Sequence, residues 1–199
     1  IVSCKLAPIP VCPHNPHIRV DPDQVRARVE RLQCSLNWMR TRLDRGMPFD
    51  KHLDLASEDS QWLRENNPNH LQTLYSGAIC RAMKSVHLIS RARNGNHGEA
   101  WDLFDKAMSE FTRVRMEEHQ FLDRADVILL QTEYRYLFVA YGRLTGEELE
   151  RALLPAPDDL GRILEEKENF PARLQRARIY LALAMGSMNP EKMEPRRRT

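Results

Sequence analysis

Four side chains of the types that bind zinc occur close together near the start of the chain: Cys4, Cys12, His14 and His17. Thiolates and imidazoles are common zinc ligands, and four of them can complete a tetrahedral site. The spacing differs from that of a zinc finger, because no Cys-x-x-Cys pair is present and Pro13 and Pro16 stiffen the segment. Free thiols, or a disulfide to Cys34 or Cys80, fit these residues better than a metal site. We therefore predict no metal and no other cofactor.

A second cluster combines carboxylates with an imidazole, the groups that transfer protons in active sites: Glu117, Glu118, His119 and Asp123. A di-iron bundle needs Glu-x-x-His pairs from two helices, and the sequence has no such pair. The zinc-protease, phosphate-loop and nucleophile-elbow motifs are absent as well. We interpret the cluster as a solvated face and predict that the chain is not an enzyme.

Arginines follow one side of the first predicted helix: Arg28, Arg31, Arg42 and Arg45. They lie within about 100° of one another on a helical wheel and extend over about 25 Å. Such a basic strip could bind an acidic protein, phosphates or anionic lipid. The alternative is that the arginine stems cover the edges of the core stripe while their charged heads stay in water.

Two tryptophans accompany this strip. Trp38 lies off the apolar stripe of the first helix, and Trp62 lies in a predicted connection. Large aromatic residues that miss the core stripe either pack in a second layer or anchor a partner. The basic strip with Trp38 and Trp62 is the predicted partner-binding surface.

Composition places few limits on function. The chain has 199 residues, enough for one domain, and 30 Lys and Arg against 28 Asp and Glu give a net charge of +2. This small charge provides no overall attraction to nucleic acid or membrane, so binding to either would need a local patch. No apolar run approaches the roughly 18 residues that cross a bilayer, and we expect a soluble protein.

The cysteines leave the compartment open. Cys4, Cys12, Cys34 and Cys80 allow two disulfides in three pairings. Low cysteine content and the absence of an Asn-x-Ser/Thr site favour an intracellular protein over a secreted one.

Glycine and proline divide the chain into its elements. Residues 23–45 and 99–141 contain neither, as in helix interiors. Residues 1–22 contain five prolines and are predicted to form an extended arm. A helical domain at 23–188 and a flexible tail at 189–199, which includes Arg196, Arg197 and Arg198, are expected to follow. No strand is predicted.

Apolar residues at helical spacing predict the inner faces. The first stripe consists of Val25, Val29, Leu32, Leu36, Met39 and Leu43. The 99–141 run is too long for one helix of a compact domain, so we expect a break near 117–121 and a third-helix face of Phe104, Ala107, Met108 and Phe111. For the last helix, the predicted inner face is Leu174, Ala177, Leu181 and Ala184.

Local signals predict several element ends. One short helix is expected within residues 47–70. Thr145 and Glu148 match a capping box, Pro155 and Pro157 are expected to break the helix that follows, and Asp158 to restart it.

Two arrangements fit these helices. Predicted helix ends at Gly46, Gly95, Gly142 and Gly186 are separated by 49, 47 and 44 residues, a spacing close to that of helical-hairpin repeats. Residues 88–108 also contain an Asn-Gly turn followed by Glu-Ala-x-x-Leu-Phe. This stretch resembles one unit of the pentatricopeptide and tetratricopeptide families, which implies a helical hairpin. A helix-turn-helix outside any repeat is the alternative.

The second arrangement is a bundle in which long connections at 46–70 and 142–171 flank a tight turn at 94–98. It is similar to the bundles of helical cytokines.

We therefore predict an all-α, single-domain bundle of five to seven helices that binds a protein partner. One alternative is a secreted cytokine-like ligand, which predicts disulfides. The other is a basic protein that binds nucleic acid or a membrane surface, of the viral matrix or nucleocapsid type. The oligomeric state is not predicted.

Overall fold

A computed structural model describes residues 22–67, 71–92, 97–117, 123–166 and 168–187. Of these residues, 89% are helical and none lies in a strand, which confirms the all-α class. The predicted arm up to residue 21 and the predicted tail at 189–199 lie outside the described residues. No helix of the described part is long and apolar enough to cross a membrane.

Eight helices are described: α1 (Pro22–Asp44), α2 (Asp50–Asn66), α3 (Leu71–Arg91), α4 (Gly98–Met116), α5 (Arg124–Gly142), α6 (Gly146–Leu153), α7 (Pro155–Glu166) and α8 (Phe170–Ser187). Leu154 between α6 and α7 keeps right-handed helical angles, with φ −53° and ψ −36°. Counting these two as one interrupted helix gives seven in the described residues, within the predicted range. The predicted break is confirmed, because α4 ends at Met116 and α5 begins at Arg124.

The end of α1 follows from one glycine. Gly46 has φ +64°, a left-handed conformation that costs glycine little. The amide of Gly46 donates to the carbonyl of Leu43 at 3.0 Å, and that of Met47 donates to Arg42 at 2.8 Å. This pair of bonds is a Schellman motif and satisfies carbonyls that the helix leaves open.

Two other glycines serve close packing. A Cβ at Gly142 would lie 2.6 Å from Ile89 Cγ1, and one at Gly186 would lie 2.4 Å from Leu149 Cδ1. After α5 the left-handed residue is Arg143, with φ 51°. The helix ends predicted at Gly142 and Gly186 are right to within a residue. Close packing, rather than a reversal of the chain, explains why glycine occupies these two positions. Gly95 lies outside the described residues.

Both stretches that were predicted as connections are largely helical. α2 has 17 residues where one short helix was expected, and α6 and α7 lie where a short helix from Thr145 and a segment restarting at Asp158 were expected. α7 begins at Pro155 rather than at Asp158, because the first turn of a helix has no internal partner for its amides and tolerates proline. These helices fill the two long connections that the cytokine-like arrangement requires.

The predicted capping box is wrong in its contacts. Thr145 is the N-cap of α6, as expected, but its side chain makes no capping hydrogen bond. The carboxylate of Glu148 lies 3.4 Å from His97 Nδ1 instead.

The described residues divide into two compact units. The first takes in residues of 1–84 and 101–122. In it α1 and α2 are antiparallel neighbours, since Arg31 contacts Asp59 whereas Arg42 contacts Pro48. Every residue of the predicted α1 stripe is buried, and so is the predicted face of α4. Both predictions are confirmed.

The second unit takes in residues of 85–100 and 123–199. In it α5 packs against α6, α7 and α8. Arg135 donates to the carbonyl of Ala152 at 2.8 Å, and the buried Gln175 amide donates to the carbonyl of Thr132 at 3.4 Å. These bonds join α5 to α6 and to α8.

The predicted inner face of α8 is wrong. Leu174, Ala177, Leu181 and Ala184 are exposed. The buried side carries Ala172, Gln175 and Ile179. Gly186 lies close to Leu149 on that side, and Leu174 and Leu181 are left outside.

Two glycine substitutions test these backbone assignments. Gly46→Ala should lower the free energy of unfolding by about 1 kcal/mol, because a Cβ is strained in the left-handed region. Gly161→Ala in α7 should raise it by about 0.5 to 1 kcal/mol, since its nearest neighbours would be 3.9 Å away and alanine favours helix. Urea unfolding measures both, and a shift of the same sign in the two variants would contradict the assignment.

Candidate functional site

Two arginines of the predicted basic strip bind one carboxylate of α2. Asp59 is fully buried. Its Oδ1 accepts from Arg28 Nη1 at 2.9 Å and from Arg31 Nη2 at 2.5 Å, and its Oδ2 accepts from Arg31 Nε at 2.6 Å. The hydrogen bond to Asp59 raises the pKa of Arg31. A phosphate at this position would compete with a carboxylate that is already in place.

Trp62 belongs to the same cluster. The guanidinium carbon of Arg28 lies 4.5 Å from the centre of the Trp62 ring, within the range of a cation–π contact. Glu58, which is exposed, places a carboxylate oxygen 3.7 Å from Arg28 and 3.8 Å from Arg31. Arg28 and Trp62 therefore support the packing of α1 on α2, as the second-layer alternative proposed.

The other two strip arginines lie apart from this cluster. Arg42 Nη1 donates to the carbonyl of Pro48 at 2.8 Å and so holds the turn between α1 and α2. Arg45 is exposed in that turn. The structure thus brings Arg28 and Arg31 together and gives Arg42 a separate structural contact.

Trp38 presents a large apolar surface. Its side chain is 56% exposed, and its ring stacks on His52 of α2 with centroids 5.9 Å apart and planes within 5°. The stack fixes the orientation of the ring, as a binding anchor requires.

The structure describes two of the four cysteines. Cys34 is exposed and Cys80 is buried, and both are free thiols. Burial raises the pKa of Cys80 from 9.0 to about 11, although the Ser57 hydroxyl at 3.9 Å acts in the opposite direction. Cys4, Cys12, His14 and His17 lie outside the described residues.

No group of three His, Cys, Asp or Glu side chains suited to a metal occurs in the described part of the chain. In the predicted acidic cluster, Glu117 pairs with Arg113 at 3.5 Å, and Asp123 caps α5 by accepting from the amide of Ala125 at 2.8 Å. Glu118 and His119 lie outside the described residues.

The sequence interpretation identified the main apolar stripe of α8 but placed it on the buried side of the helix. We call it the α8 seam, and it consists of Phe170, Leu174, Ala177, Leu181 and Ala184. Phe170 and Leu181 are 74% and 62% exposed. The steps of four, three, four and three residues are those of a coiled-coil stripe, which packs against another helix. A search for two opposite apolar faces on α8 would have shown that either face could be the exposed one.

A shallow groove runs beside the α8 seam, between α5 and α8. Its volume is about 360 Å³. Tyr136 and Val139 of α5 line it together with Leu181, Met185 and Arg178 of α8. Because Leu181 belongs to both, the seam and the groove form one continuous apolar surface.

Comparison with protein-family models, with curated proteins and with solved structures gave no match to this chain. The functional proposal therefore rests on the chemistry of the described residues.

Substitution of the buried carboxylate tests its structural role. Asp59→Asn should lower the free energy of unfolding by about 2 kcal/mol, because a neutral amide cannot replace three charge-assisted hydrogen bonds. Glu58→Gln is the matched control, since that carboxylate is 64% exposed, and should change it by less than about 0.5 kcal/mol. Equal losses in urea unfolding would contradict the assignment.

The raised pKa of Cys80 predicts a pH dependence of stability. Between pH 9.0 and about 11 the unfolded chain loses a proton that the folded chain keeps, so the free energy of unfolding should fall as pH rises through this interval. Cys80→Ala should flatten this slope relative to the parent chain. Urea unfolding at several pH values measures it, and an unaltered slope in Cys80→Ala would refute the prediction.

Proposed function

We propose that this chain is a non-catalytic helical module that binds a protein partner through the α8 seam. The observation that carries the proposal is the exposure of apolar side chains at strict coiled-coil spacing over about 21 Å of helix. Single exposed leucines are common on protein surfaces, but a continuous apolar stripe is typical of an interaction site.

The face of α8 opposite the seam supports this proposal. Ala172 and Ile179 are buried there, and Gly186 lies against Leu149. A helix with apolar residues on two opposite faces is suited to a position between two neighbours. The described helices α5, α6 and α7 pack against α8 on its buried side, and the partner would cover the other face.

The alternatives have less support. A polyanion would have to compete with Asp59 for Arg28 and Arg31. The cytokine-like alternative predicted disulfides; Cys34 and Cys80 are not paired with each other, and Cys4 and Cys12 lie outside the described residues. Trp38 stays a predicted second contact, because its ring is oriented and exposed.

Site-directed photo-crosslinking in the cells that produce the chain tests the proposal. Benzoylphenylalanine is placed at residue 181, at residue 38, or at residue 116, where Met116 is an exposed apolar control on α4. We expect a discrete protein adduct from residue 181. The adduct should form again from the two purified proteins and be lost in Leu174→Glu, while Met116→Glu keeps it.

Two results would contradict the proposal. One is equal adducts from residues 181 and 116, which would indicate non-specific contact. The other is an adduct from residue 38 with none from residue 181, which would move the binding surface to α1 and α2.

A further inference from the structure

The α8 seam has charged flanks of a single sign. In a heptad written abcdefg, Leu174 and Leu181 occupy position a, and Ala177 and Ala184 occupy position d. Arg173 is then at position g and Arg178 at position e, one on each side of the seam. Both are exposed, and α8 contains no acidic residue.

These flanking positions decide partner choice in coiled coils, because side chains at e and g meet those of the facing helix. Arg173 has a carboxylate of Glu168 at 3.1 Å, but both side chains are more than half exposed. Exposed pairs of this kind contribute little and exchange readily. Arg178 lines the groove next to the seam. Both guanidinium groups can therefore meet acidic side chains of a partner.

The positive charge of the flanks argues against a second copy of this chain as the partner that covers the α8 seam. In a parallel pair, position g of one helix faces the following position e of the other, so Arg173 would face Arg178 twice. Like charges at these positions oppose pairing. Arg176 adds a further cation near this surface, because its guanidinium carbon lies 5.6 Å from the Tyr180 ring at the next g position.

The shape of the seam favours a helix over a lipid surface. After Phe170 at its start, the seam alternates leucines at 174 and 181 with alanines at 177 and 184, a pattern that leaves hollows between the larger side chains. Hollows of this kind receive the knobs of a facing helix. Helices that lie on membranes carry bulky apolar residues along the buried face.

The termini of this chain do not supply such a helix by their sequence. Residues 1–21 include four prolines and a single acidic residue, Asp21. Residues 188–199 contain two prolines, and their two acidic residues, Glu191 and Glu194, are outnumbered by Lys192, Arg196, Arg197 and Arg198.

We infer that the occupant of the α8 seam is an amphipathic α-helix of a partner protein, with apolar residues at a and d and Asp or Glu at e and g. This inference rests on the proposed function and adds the chemistry of the partner. Partner charge sets specificity, and the seam supplies the apolar contact.

Two synthetic three-heptad peptides test it against the full chain. Both have leucine at a and d, and one has Glu at every e and g position whereas the other has Lys. Like charges keep each peptide from pairing with itself. Fluorescence anisotropy at low ionic strength, where charges are least screened, measures the affinities. We expect the Glu peptide to bind at least about tenfold more tightly than the Lys peptide.

Variants separate the seam from its flanks. Arg173→Glu with Arg178→Glu should reverse the peptide preference. Leu181→Glu should abolish binding of the Glu peptide, and Met116→Glu is the matched control that should not. These side chains are exposed, so the variants should fold, and circular dichroism checks this.

Four outcomes would overturn the inference. If both peptides bind equally and Leu181→Glu abolishes this binding, the seam binds helices without discriminating by charge. The proposed function would then stand. Failure of both peptides would reject the heptad partner, while the crosslinking at residue 181 decides the proposed function independently. Binding to vesicles of anionic phospholipid that depends on Leu181 would assign a lipid surface. A dimer in analytical ultracentrifugation that Leu181→Glu dissociates would assign a second copy.

Discussion

The packing of α8 against α5, α6 and α7 decides which of its two apolar faces is buried in the second unit. A Cβ at residue 186 would lie 2.4 Å from Leu149 Cδ1, so only glycine permits this approach without a shift. In this packing Ile179 lies inside, and Leu174 and Leu181 lie outside. The exposed seam is thus a consequence of close packing on the opposite side of the helix.

In the first unit a buried carboxylate decides which arginines of the basic strip make internal contacts. Asp59 is fully buried, and an unpaired charge there would be strongly destabilising. Arg28 and Arg31 neutralise it, and Trp62 lies against Arg28. A surface that the sequence presents as four parallel arginines is therefore largely a set of internal contacts between α1 and α2. The ring of Trp38 stays exposed in this unit.

The sequence was sufficient to predict the buried side of a helix where only one face was clearly apolar. The stripes of α1 and α4 alternate with charged residues, so periodicity alone identified their buried sides. Periodicity did not identify the buried side of α8, because Leu181 on one side and Ile179 on the other are both apolar, and the packing of α5, α6 and α7 against the helix distinguishes them. The pairing of Arg31 with Asp59 spans 28 residues and has no local signal. Pro155 and Pro157 led to the wrong prediction that α7 begins at Asp158, because the first turn of a helix tolerates proline.

Cysteine scanning of α8 is the most direct test of the central claim, that the leucine side of this helix is exposed and is covered by a partner helix. Single cysteines at 174, 177, 181 and 184, and at 172, 175 and 179, are introduced after Cys4, Cys12 and Cys34 are replaced by serine. Alkylation rates are then measured with and without the Glu peptide. Fast labelling at the first four positions that the peptide suppresses, with slow labelling at the other three, is the predicted result. The reverse periodicity, or fast labelling that the peptide leaves unchanged, would contradict it.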